Sequence, residues 1–188
     1  TTIENLLIPY QLKLFGYSSS DALSIYGILT GMAFAIIMFP TVLTNSISVL
    51  LLPVVSEAQA KHNDRLIREA IIKTTESCLL LGLLCTIGLL VLGDFIGNFI
   101  FKNALSATFI VTMSRICPFL YLGSTLNSIF HGLGKPGITL FLNLFSCLIR
   151  ILFIIFLIPV IGIKGYLTGL LISQIALCVL ALLWLYRL

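Results

Sequence analysis

At 188 residues, with 59% hydrophobic and only 10% charged residues and a mean hydropathy of +1.15, the chain lacks the charged exterior that a soluble domain of this length requires. Its net charge of +4 is small, and no basic face with interleaved aromatics is present, which argues against nucleic acid as a partner. The composition is that of a protein dissolved in lipid, with its charges gathered where the chain leaves the bilayer.

The chain does not begin with methionine, and residues 1–14 read as the end of a helix that starts upstream, with Ile3, Leu6, Leu7 and Tyr10 on one face. No basic start followed by an apolar core marks a signal peptide there. Ser18, Ser19, Ser20 and Asp21 then supply hydroxyls and an acid suited to opening a helix.

Five apolar stretches follow, at residues 22–52, 77–101, 107–130, 138–160 and 166–185. Each reaches the roughly 20 apolar residues that cross a hydrocarbon core about 30 Å thick. In the first, Pro40 removes a backbone hydrogen bond and predicts a bend. Gly27 and Gly31 share a face on which a second helix can approach closely. Pro53 closes this span.

Residues 56–76 form the most polar segment, carrying Lys61, Arg65, Arg68 and Lys73 among four acids and His62, with Leu66, Ala70 and Ile71 at near-helical spacing. The pattern predicts an amphipathic helix lying along the membrane surface. The other connections are short, including a tight turn through Gly132, Gly134 and Lys135. The expected fold is therefore an all-α membrane bundle of about five transmembrane helices, a partial helix at 1–14 and a surface helix at 56–76.

Lysine and arginine count sets the orientation. Lys61, Arg65, Arg68, Lys73, Lys135 and Arg187 fall on one side, against Lys13, Lys102 and Lys164 on the other. The first side is read as cytoplasmic, and the 56–76 segment with it.

Two arginines lie within spans, Arg115 and Arg150. An arginine at mid-membrane costs about 2.5–3.5 kcal/mol on insertion scales, so it implies water, a partner or an anionic ligand; for Arg115, nearer the start of its span, snorkelling toward the outer interface is the alternative reading. Asn127 and Asn143 join them as candidates for a substrate path, although an interhelical hydrogen bond is the plainer reading of a membrane asparagine. The five cysteines all fall in apolar spans without metal-ligand or disulfide spacing. Neither a catalytic constellation nor a metal or cofactor motif is found, so no enzyme is expected.

Several segments taken together resemble a known family. Residues 43–58 (LTNSISVLLLPVVSEA), 118–122 (PFLYL) and 126–135 (LNSIFHGLGK) are similar in order to polysaccharide-type lipid flippases, as are 3–9 (IENLLIP) and 23–33 (LSIYGILTGMA). The resemblance covers nearly the whole chain. It points to the stage V sporulation protein B branch of the multidrug/oligosaccharidyl-lipid/polysaccharide exporter superfamily.

That resemblance implies two pseudo-symmetric lobes that alternate access around a central cavity, with residues 1–188 forming part of the C-terminal lobe and the N-terminal lobe of the same protein as its partner. It implies a polyprenyl-pyrophosphate-linked saccharide as cargo, a peptidoglycan precursor for sporulation or cell-wall synthesis, and a place among the lipids of the bacterial cytoplasmic membrane. Arg115 and Arg150 would then offer cations to the pyrophosphate, with Asn127 and Asn143 beside them. Pro40, Gly27, Gly31, Gly132 and Gly134 would serve as hinge or packing points. A cation-coupled multidrug exporter would need an acid in the cavity, and Glu4, Glu76 and Asp94 all sit near span ends. A non-transporting scaffold for wall synthesis would leave the buried arginines unexplained.

Overall fold

A computed structural model describes residues 2–187, and all regular structure among them is helical. In order come α1 (Thr2–Phe15), α2 (Ser19–Met38), α3 (Thr41–Ala60), α4 (Asp64–Phe95), α5 (Ala104–Gly132), α6 (Pro136–Ile161) and α7 (Ile163–Arg187). From α2 onward every helix is long and apolar enough to cross a membrane. The chain is an all-α membrane protein.

Helix α1 shows how lipid inverts the usual rule. Ile3, Leu6 and Tyr10 are exposed, whereas Glu4, Ile8, Gln11 and Leu12 are buried against the bundle. The face the sequence marks as apolar thus looks outward, because hydrocarbon solvates it, and the polar face turns inward, where protein can satisfy it. Helix α4 carries the same logic further, with Leu80, Leu83, Leu84, Ile87 and Val91 all exposed.

The first apolar stretch is two helices and not one. Ser18 caps α2, its Oγ accepting from the Asp21 N–H at 3.1 Å. Helix α2 contains a π turn at Leu29–Ala33 and ends at Met38, and α3 begins at Thr41. The torsions stay helical across the joint, with φ and ψ of −55° and −46° at Phe39 and −69° and −11° at Pro40. The two pieces therefore succeed one another as a single rod interrupted at Phe39 and Pro40. Proline supplies no N–H, so carbonyls on the preceding turn need other donors. The Phe39 N–H reaches both Ala35 and Ile36, the Thr41 hydroxyl takes the Met38 carbonyl, and Tyr121 Oη donates to the Ile37 carbonyl at 2.9 Å.

The 56–76 segment also departs from the sequence expectation. Its first residues finish α3, residues 61–63 form a turn, and the remainder opens α4. Asn63 caps the new helix by accepting from the Leu66 N–H, so an asparagine and a left-handed His62 (φ 51°) break what periodicity reads as continuous. At 1.5 Å per residue, α2 with α3 runs about 60 Å and α4 with its terminal π turn about 55 Å, against about 40–45 Å for a whole bilayer. The charges of 56–76 are accordingly shared between the end of α3, the turn and the start of α4, and not carried by one continuous helix.

Helix α5 is the most buried of the spans. Its first half packs against α2 and α4 and shares a hydrophobic cluster with α1, α6 and α7 that includes Ile8, Leu29, Ile110, Met113 and Ile154. Its second half joins α3 and α7 around Val55, Leu126, Phe130 and Ala181. Pro118 interrupts its hydrogen bonding after a 3-10 turn at Ser114–Ile116, and the Ser114 carbonyl accepts from Thr86 Oγ1 of α4 at 2.9 Å. Gly82 makes that approach possible: a Cβ there would lie 2.5 Å from Pro118 Cα.

Two outcomes are expected in thermal unfolding of the detergent-solubilised protein. Tyr121→Phe strands the Ile37 carbonyl in a buried site and should destabilise by about 1–3 kcal/mol. Gly82→Ala should cost about 1–3 kcal/mol by forcing α4 off α5, while Gly88→Ala, which meets open space, should leave the melting temperature unchanged or raise it.

Candidate functional site

The residues marked for chemistry lie on two helices, Arg115 and Asn127 on α5 and Asn143 and Arg150 on α6. Arg150 lies past the middle of α6, about 20 Å along its axis from Pro136. Its Nε is 3.0 Å from Oε1 of Glu4 on α1, and the side chains are 20% and 8% exposed. The packing of α1 against α6 brings them together. The Nε–H is not aligned on the carboxylate, so the contact is Coulombic and this N–H remains without a hydrogen-bond acceptor.

Around the pair stands a small polar district. The Cys147 thiol, one turn before Arg150, lies 3.9 Å from the same Glu4 oxygen. On the flank of α1, Tyr26 Oη donates to Asn5 Oδ1 at 2.6 Å. Tyr166 of α7 is buried within electrostatic reach of Glu4, Arg150 and Tyr26. Two turns along α1 from Glu4, Gln11 presents a buried Oε1 with no partner among the described residues. The district draws on α1, α2, α6 and α7 and is electrically balanced, one carboxylate against one guanidinium.

The other sequence candidates do not converge on it. Asn143 shares the α6 stripe with Cys147 and Arg150 but is exposed, and its Nδ2 donates back to the Thr139 carbonyl at 2.8 Å. Arg115 stands exposed on the 3-10 turn of α5, with no carboxylate within 4 Å among the described residues. Asn127 is half-buried on α5, and its Oδ1 lacks a partner there.

The glycines divide similarly. A Cβ on Gly27 or Gly31 would meet nothing within 4 Å, so no helix of this chain packs there. Gly132 does meet a neighbour, Val55 of α3 at 3.1 Å, and its carbonyl accepts from Ser56 Oγ. Gly134 holds the α5–α6 turn at φ +66°.

Sequence reasoning missed Glu4 as the partner of Arg150. Its nearness to the start of a helix suggested a membrane-boundary position. The available signal was that Glu4, Ile8, Gln11 and Leu12 form one stripe of α1, into which two polar residues are set.

Comparison with known proteins agrees with this architecture. A solved MOP superfamily transporter from Pyrococcus furiosus superposes with a TM-score of 0.79 at 16% identity, over 98% of this chain and 41% of that one, a likeness of fold. Stage V sporulation protein B of Bacillus subtilis is 24% identical over 164 residues, which is 86% of this chain and 32% of the relative. The chain thus spans about a third of the length of that curated relative. The family model of the lipid II flippase MurJ matches residues 23–188. With that match running from α2 through α7, this multi-pass membrane chain belongs to the MurJ lipid II flippase family.

Proposed function

We propose that the full-length protein moves a polyprenyl-pyrophosphate-linked saccharide, a peptidoglycan precursor used in sporulation or cell-wall synthesis, across the bacterial cytoplasmic membrane. It acts as a transporter and not as an enzyme. This chain then forms part of the C-terminal lobe and works against an N-terminal lobe of the same protein. The hairpin joining α3 to α4 faces the cytoplasm on the lysine and arginine count.

The observation that carries the reading is a guanidinium deep in a membrane bundle of this family, held by one carboxylate and with its Nε–H unspent. A pyrophosphate is excluded by hydrocarbon and needs cations and N–H donors in place of its water. Arg150 can supply both only if the cargo joins or displaces Glu4. Partner exchange would keep every state near neutral: Glu4 guards the arginine when cargo is absent, and the phosphate takes it when cargo arrives. Arg115 is a second cation along the path, and Asn127 and Asn143 offer amides to the saccharide. Bending at Pro40 and at the Gly132–Gly134 turn accompanies the change of access. A cation-coupled exporter is less well supported, because Glu4, the buried carboxylate among the described residues, is already held by Arg150.

Flipping of a lipid-linked precursor by the full-length protein in vesicles tests this. Arg150→Gln should slow transport at least about tenfold, matching loss of one charge-assisted hydrogen bond of about 1.5–3 kcal/mol. Glu4→Gln, which leaves the cation in place, should retain transport. If both variants lose equal stability and equal activity, the pair is a brace and the cargo role of Arg150 is wrong. Removing either partner of a buried ion pair costs about 3–5 kcal/mol, so the melting temperature must be recorded beside the rate.

A further inference from the structure

A cavity of about 660 Å³ opens at the end of the bundle that bears the α3–α4 hairpin, walled by that hairpin, the α5–α6 turn and the last turns of α7. Its lining is two-sided. Arg68 and Lys135 come from separate connections and face one hollow, with His62 at its edge. Ile71, Leu133 and Leu182 supply an apolar wall. Among the described residues, no carboxylate lines it.

The surroundings sharpen this charge bias. Lys61 is paired with Glu57 at 2.6 Å and Arg65 with Glu69 at 3.1 Å, both on exposed surface of the hairpin. Those acids are engaged outside the cavity, and among the described residues no ion pair is made by Arg68 or Lys135. Trp184 and Tyr186, on the last turns of α7, belong to residue types that favour the boundary between headgroups and hydrocarbon. The hollow, lined in part by Tyr186, thus lies beside residues of the kind that gather at the headgroup boundary.

We propose that this cavity is a binding site for an anionic phospholipid of the adjacent leaflet. Arg68 and Lys135 receive the headgroup phosphates, and an acyl chain lies on the Ile71–Leu133–Leu182 wall. A free phosphate ion would gain nothing from that wall, and a zwitterionic lipid would bring a cation toward two others. The site ties the hairpin to the ends of α5 and α7 through a molecule of the membrane itself. It does not depend on the transport reading above.

The test is native mass spectrometry of the full-length protein, delipidated and then offered phosphatidylglycerol or phosphatidylcholine. Wild type should retain phosphatidylglycerol in preference to phosphatidylcholine. Arg68→Gln with Lys135→Gln should lower its apparent affinity by roughly thirtyfold, from about 1 kcal/mol per basic residue near a lipid surface. Arg68→Lys with Lys135→Arg should restore it, and Lys102→Gln with Lys164→Gln, at the opposite end, should leave it unchanged. Equal loading of the two lipids on wild type overturns the proposal, whether or not the neutral pair folds. Undiminished phosphatidylglycerol on a folded neutral pair also overturns it. Displacement by millimolar inorganic phosphate would reduce the site to a phosphate site, and displacement by polyprenyl pyrophosphate would assign it to cargo. Either result refutes a resident phospholipid.

Discussion

Hydrocarbon offers no hydrogen-bond partners, so every interruption of a transmembrane helix must be settled by another part of the protein. This constraint organises the bundle. At Pro40 the exposed carbonyls are met by the Thr41 hydroxyl from within the rod and by the Tyr121 hydroxyl from α5. At Pro118 the traffic reverses, and Thr86 of α4 serves the Ser114 carbonyl of α5. At these two proline breaks, each helix is served by a side chain of a neighbour. That mutual repair explains why α5, in contact with helices on both sides, is the most deeply buried span.

Charge obeys a related rule with a different solution. Near mid-membrane, Arg150 is kept close to neutral by Glu4, and the pair adds little net stability because desolvation consumes much of its Coulombic gain. At the membrane boundary the exposed pairs Lys61–Glu57 and Arg65–Glu69 are worth at most about 1 kcal/mol each. Neither set holds the fold together.

Much of this was legible in the residues. Apolar run lengths located the spans because only helices survive in lipid, and Ser18 and Pro40 announced a cap and a break. Family resemblance rested on ordered segments such as 126–135, and the family model, over 23–188, covers all of them but 3–9. Less could be read where periodicity serves two masters. Residues 56–76 keep a helical pattern across a turn, because Asn63 as a cap and His62 at positive φ leave little trace in hydrophobic spacing. The Glu4–Arg150 contact was invisible for another reason. It joins residues far apart in sequence on helices whose neighbourhood is set by packing, and α1 displays its apolar face to the outside. Gly27 and Gly31 carry the same warning, since small residues permit a close approach without showing which helix makes it.

The interrupted rod of α2 and α3 has a mechanical corollary. Helix α3 has 20 residues, so it is an arm about 30 Å long, and a tilt of about 5° at Pro40 displaces its tip by about 2.6 Å. That tip carries Gln59 and leads directly into His62, both part of the cavity wall at the rim. If Pro40 serves as the hinge proposed above, a small rotation there would be magnified into a change of width at the cavity, as a hinge near the pivot of a pair of tongs opens the jaws.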